Sequence, residues 1–177
     1  MCKIGILLLD RDFEHDVYEL IKAFYPEGDI HSLYEKDEEE YDIFFTVIRE
    51  NDDFVINYET KDRKGATCAQ IIKGADEKEA SDAHELRKAN KDSLKYALYN
   101  VLVKLTGRTL PWGNLTGIRP AKLAMGMIES GMKNTEIAQV MREHYLVSAK
   151  KTALAITIAN RERALLQDID YEHGYSL

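Results

Sequence analysis

Between Leu110 and Pro120 the chain reads Leu-Pro-Trp-Gly-Asn-Leu-Thr-Gly-Ile-Arg-Pro. Its residue types are suited to holding an anion. Arg119 and Lys122 bring positive charge, and Asn114 and Thr116 bring neutral hydrogen-bonding groups. Gly113 and Gly117 let the backbone approach a ligand closely. Pro120 fits the first position of a helix. The residue before a proline is pushed out of the α region, so Arg119 fits the cap. The N–H groups at such a helix start favour negative charge. Lys122 in the first turn is disfavoured by the helix dipole by roughly 0.3–1 kcal/mol, a cost that a bound anion would offset. From residue 101 to 133 the cations are Lys104, Arg108, Arg119, Lys122 and Lys133, and the anion is Glu129. The segment carries +4 inside a chain of net charge −7.

A purely structural role competes with this one. Trp112 and Pro120 would anchor a clasp, with Trp112 wedged between helices and Arg119 paired with an acidic residue or capping carbonyls. A buried tryptophan and turn glycines need no ligand to explain them.

Other arrangements that could do chemistry are sparse. His15, His31, His84, His144 and His173 show no ligand spacing. Cys2 and Cys68 form no cluster, and a reducing, cytoplasmic setting with free thiols is expected. Neither a P-loop nor a nucleophile-elbow or dinucleotide-binding motif is present. The run Glu35-Lys36-Asp37-Glu38-Glu39-Glu40 reads as a solvated loop rather than a metal site. No apolar run is long enough to span a bilayer. An acidic chain is a poor nucleic-acid binder, because phosphate neutralisation needs clustered cations.

The elements around the loop follow from periodicity. Residues 3–9 form an unbroken apolar run, as in a strand buried on both faces. Asp12 is the expected cap of a helix over 13–24 with Phe13, Val17, Leu20, Ile21 and Phe24 inward, ended by Pro26 and Gly28. Strands are expected near 30–34, 41–49, 54–61 and 66–73. Glu50-Asn51-Asp52-Asp53 and Asp62-Arg63-Lys64-Gly65 would be the turns. Residues 81–106 are helical in period, with Leu86, Leu94, Ala97, Leu98, Val101, Leu102 and Leu105 on one stripe and Gly107 at the end. Three helices follow: 120–129, ended by Gly131; about 134–145, with Ile137, Val140 and Met141 inward; and one capped by Ser148, with Leu154, Ile158, Leu165 and Ile169 inward.

The fold class expected is α+β: a small mixed sheet with one crossover helix over 1–75, then a helical domain over 76–177. The pair of helices running from Thr135-Glu136-Ile137-Ala138 to Ser148, Lys150 and Lys151 also permits a helix-turn-helix DNA-binding regulator. The missing turn glycine and the acidic chain weigh against it.

The run Leu110–Leu123, followed by Tyr145-Leu146-Val147-Ser148 and a long helix with Asn160-Arg161-Glu162, resembles a known N-terminal region. It is similar to the segment ahead of the radical S-adenosylmethionine domain in the HemZ-type, oxygen-independent coproporphyrinogen III oxidase (dehydrogenase) family of Firmicutes. The resemblance implies heme biosynthesis, in which the parent enzyme oxidatively decarboxylates two propionates of coproporphyrinogen III. It also implies that the [4Fe–4S] cluster and S-adenosylmethionine belong to a C-terminal barrel. Glu172-His173-Gly174-Tyr175-Ser176-Leu177 would lead into that barrel, so the chain is expected to stop short of it and to be inactive alone. No catalytic residue carries over. An accessory role is expected, positioning coproporphyrinogen III or docking the barrel through Arg119, Lys122 and the Gly113–Gly117 loop.

Overall fold

The computed structural model describes residues 2–8, 11–35, 39–51, 53–71 and 80–166. The chain is an α+β protein. It divides into two compact units, Met1–Leu110 and Pro111–Leu177.

The first unit is a five-stranded mixed sheet with helices packed on it. Strands β1 (Lys3–Leu8), β2 (Asp29–Leu33), β3 (Ile43–Glu50), β4 (Asp53–Thr60) and β5 (Lys64–Gln70) lie in the order β2-β1-β3-β4-β5. Strand β1 pairs in parallel with both β2 and β3, while β3–β4 and β4–β5 are antiparallel hairpins. The crossover between β1 and β2 is helix α1 (Glu14–Phe24), as expected. The chain enters α1 through a 3₁₀ turn at Arg11–Phe13, so Phe13 rather than Asp12 occupies the cap position. Phe13 is held there by burial and by an edge-on contact with Phe54 at 5.6 Å.

Register puts Ile4, Ile6 and Leu8 beside Ile43, Phe45 and Val47, and then Phe54 and Ile56, on one face. These side chains are buried together with Val17, Leu20, Ile21 and Phe24 of α1. Strand β5 begins at Lys64, two residues earlier than the periodicity indicated. Gly65 pairs with Tyr58 of β4 in this strand, and the Tyr58 ring lies where a Gly65 side chain would stand. The charge run around residue 35 lies partly outside the described residues. Within it, Glu39 pairs with Lys3.

Helix α2 (Ala80–Thr106) packs against α1, β4 and β5. The long helix therefore belongs with the sheet, and the boundary falls at Leu110 rather than near residue 75. The reason is the length of its apolar stripe. Leu94, Ala97, Leu98, Val101 and Leu102 are all buried, and Tyr99 adds an edge contact to Phe24 at 5.3 Å. The Tyr99 hydroxyl accepts the Leu110 N–H at 3.0 Å, which ties the end of the unit back to its core.

The second unit is helical. It contains α3 (Pro120–Glu129), α4 (Asn134–Glu143) and α5 (Ala149–Leu166). Its core is Ala124, Ile128, Ile137, Met141, Tyr145, Val147, Ala155 and Ala159. Helix α3 closes with Gly131 N–H to the Ile128 carbonyl and Met132 N–H to the Met127 carbonyl, both at 3.0 Å, the paired bonds of a Schellman end. Helix α4 opens with the Glu136 carboxylate accepting the Lys133 N–H at 2.7 Å.

One expectation fails in α5. Leu154, Ile158 and Leu165 do not point inward; they are exposed, and the buried face is Thr152, Ala155 and Ala159. Small residues let α5 approach α3 and α4 closely, so that face won the core. Ile169 lies outside the described residues. Among the described residues no helix is long and apolar enough to cross a membrane.

Candidate functional site

The loop from Pro111 to Arg119 is built against the connection between α4 and α5. The Asn114 N–H donates to the Tyr145 carbonyl at 3.0 Å, and the Ser148 N–H donates to the Pro111 carbonyl at 3.1 Å. Asn114 is 2% exposed, and its side-chain amide approaches the His144 carbonyl at 3.5 Å. Gly113 has φ +59. A Cβ there would lie 2.0 Å from the Tyr145 carbonyl oxygen and 2.5 Å from the Leu146 carbonyl carbon. Leu146 itself has φ +57, a conformation that costs a non-glycine residue roughly 1–2 kcal/mol. The hydrogen bonds on either side of it hold that turn in place.

Trp112 packs, half-buried, against the core of the helical unit. The Lys151 ammonium sits over its ring, 5.1 Å from the centroid. Thr116 is also half-buried and engaged in a contact.

The remainder of the loop faces outward. Gly117 (φ +67), Ile118 and Arg119 are exposed, and no atom lies within 4 Å of where a Gly117 Cβ would stand. Arg119 occupies the cap position of α3 with extended backbone and no side-chain cap bond, and Pro120 is the first helical residue. The Lys122 N–H turns back to the Arg119 carbonyl at 3.0 Å. The first turn of α3 contains no acidic residue. Neither the Arg119 nor the Lys122 side chain has a hydrogen-bond or ion-pair partner among the described residues.

The eight residues singled out in the sequence therefore separate into two groups. Trp112, Gly113 and Asn114 hold the loop to the α4–α5 connection. Gly117, Arg119 and Lys122 lie at the open start of α3, which Pro120 begins, with Thr116 between the groups. The basic segment divides as well. Arg108 and Lys104 belong to the first unit, and Arg108 donates to the Phe24 carbonyl at the end of α1. Only Arg119, Lys122 and Lys133 remain to the helical unit.

The other candidates are scattered. His31 lies against Tyr41 and 3.0 Å from Asp29, and His144 lies edge-on to Tyr145. His15 and His84 are exposed, and His173 is outside the described residues. Among the described residues no three His, Cys, Asp or Glu side chains are grouped to hold a metal ion. Cys2 precedes β1 and Cys68 lies exposed on β5. Burial, then Asp42, pushes the Cys2 thiol above its ordinary range, which lowers its reactivity.

Sequence reasoning missed an aromatic cluster on the sheet face opposite the helices. Phe44 lies across Gly5, where a Cβ would come within 2.6 Å of the ring. Tyr41 packs on Phe44 and on His31, under the Lys3 ammonium. A cleft of about 600 Å³ beside it is lined by Glu39, Glu40, Asp42, Glu59, Lys3 and Lys61. Lys3–Glu39 and Lys61–Asp42 ion pairs cross the cleft, and they account for part of its charge without a ligand. The glycine facing Phe44 across neighbouring strands was the available sequence signal, and it depends on register.

By its architecture the chain is a sheet unit followed by a helical unit in which the start of α3 is open and basic. No protein-family model matches the chain, and no solved structure matches it. The oxygen-independent coproporphyrinogen-III oxidase-like protein HemZ of Bacillus subtilis (strain 168) is 35% identical to it over 85 residues. Those residues are 48% of this chain and 17% of that protein, so the match spans a small part of the curated relative.

Proposed function

We propose that this chain is an N-terminal accessory domain of a HemZ-like, cytoplasmic, radical S-adenosylmethionine enzyme of heme biosynthesis. The observation that carries this reading is the 35% identity over about half of the chain to a coproporphyrinogen-III oxidase-like protein. The Leu110–Leu123 signature agrees with it. The two cysteines of the chain, apart in the sheet unit, do not fit the three-thiolate set of a radical S-adenosylmethionine cluster. In this reading the cluster belongs to other protein, and the present residues serve binding.

The open start of α3 is the binding element. Arg119 and Lys122, without partners among the described residues, would receive a carboxylate, either a propionate of coproporphyrinogen III or an acidic side chain of the catalytic barrel. The second role is favoured where the carboxylate comes from protein, since Ile118 beside Arg119 is 44% exposed and would be covered by an apolar neighbour.

Deleting the gene and growing the cells without oxygen tests the reading. Coproporphyrin should accumulate and heme should fall, as measured by chromatography of extracted porphyrins. Unchanged porphyrin pools would reject the assignment to heme biosynthesis.

A further inference from the structure

Helix α5 has two apolar faces. One, made of Thr152, Ala155 and Ala159, is buried inside the helical unit. The other carries Leu154 (43% exposed), Ile158 (37%) and Leu165 (76%). At 100° per residue, these three fall within one arc together with Lys150, Thr157 and Arg161. Lys150 and Arg161 are exposed, and Glu162 at the flank is the nearest acid on the helix. A helix that is apolar on both sides is built to be covered on both sides.

We infer that the outer face of α5 docks an amphipathic protein helix whose apolar ridge is bordered by Asp and Glu. The ridge would seat on Leu154, Ile158 and Leu165, as helices recognise one another through side chains at helical spacing. The carboxylates would meet Lys150 and Arg161, and this charge match selects the partner. Duplex DNA fits poorly, because the centre of the face is leucine and isoleucine where base and phosphate contacts need polar groups. A second copy also fits poorly, because this arc presents cations to cations. The inference is independent of the porphyrin reading.

The test uses the whole chain and two synthetic helical peptides of about 18 residues, long enough to hold a helical turn pattern. Both carry the same leucine ridge, one bordered by Glu and the other by Lys. Fluorescence anisotropy should show saturable binding of the Glu peptide and about tenfold or weaker binding of the Lys peptide. The Leu154→Ser/Ile158→Ser chain should lose the Glu peptide. The Lys150→Glu/Arg161→Glu chain should reverse the preference, a gain that a folding defect cannot imitate. Equal binding of the two peptides, or binding of neither, overturns the inference. So does a concentration-dependent dimer abolished by Leu154→Ser/Ile158→Ser, or duplex DNA binding abolished by Lys150→Glu/Arg161→Glu.

Discussion

Gly113 lies directly against the carbonyl of Tyr145: a Cβ on Gly113 would stand 2.0 Å from that oxygen. The opposing atom is backbone and cannot rotate away. Gly113→Ala should therefore open the loop from the α4–α5 connection and lower the stability of the helical unit by at least about 2 kcal/mol. Gly117→Ala meets open space at a similar φ. It should cost only the conformational term, about 1 kcal/mol. Urea unfolding of the two variants, compared at equal m-value, checks the ordering; equal losses would mean that the contact does not hold the loop.

Trp112 is an anchor that is only half-buried. Trp112→Ala should destabilise the helical unit by less than the roughly 3–5 kcal/mol of a fully buried aromatic deletion. Lys151→Met should cost about 0.5–1 kcal/mol, the cation–π contact at an accessible site. Thermal unfolding followed by tryptophan fluorescence measures the second, and the circular dichroism midpoint measures the first.

Arg119→Ala and Lys122→Ala should each leave stability within about 0.5 kcal/mol of the parent, since both side chains are exposed. If the start of α3 receives a propionate, each should weaken binding of coproporphyrin III, a stable tetracarboxylate stand-in for the substrate. The expected loss is about tenfold or more for a charge-assisted bond. Porphyrin fluorescence titration reads this directly. Identical affinity in both variants would remove the propionate and leave the protein carboxylate.

Asp42, just before β3, links the start of β1 to Lys61, just after β4. Its carboxylate accepts the Lys3 N–H at 2.9 Å and pairs with Lys61 at 3.2 Å. The Lys3 hydrogen bond first, then Lys61, hold this carboxyl below its ordinary range. The folded value lies below the unfolded one, so its stabilisation is present above the unfolded value and is lost as pH falls through the folded value. Asp42→Asn should flatten the decline in stability between about pH 5 and about pH 2. Urea midpoints across that range check it, and an unchanged acid limb would assign the decline to other groups such as Asp29. The Asp29 carboxyl is lowered chiefly by its hydrogen bond with His31.

Local chemistry made much of this molecule legible. The β-α-β-β-β-β order, the turn at Asn51 and the ends of α3 and α4 follow from side-chain period, glycine and proline placement, all properties of neighbours in the chain. The open helix start at Arg119-Pro120 was readable for the same reason. What needed the tertiary structure was every choice between two locally acceptable partners. Helix α2 joined the sheet rather than the helical unit, because its stripe found Phe24 and the sheet core. Helix α5 buried Ala155 and Ala159 and left Leu154, Ile158 and Leu165 outside, because close approach to α3 and α4 rewards small side chains. Gly113 and Gly117 look alike in the sequence, and only the position of Tyr145 makes one a contact and the other an opening. Such choices rest on distances between residues far apart in the chain, and periodicity along the chain does not encode them.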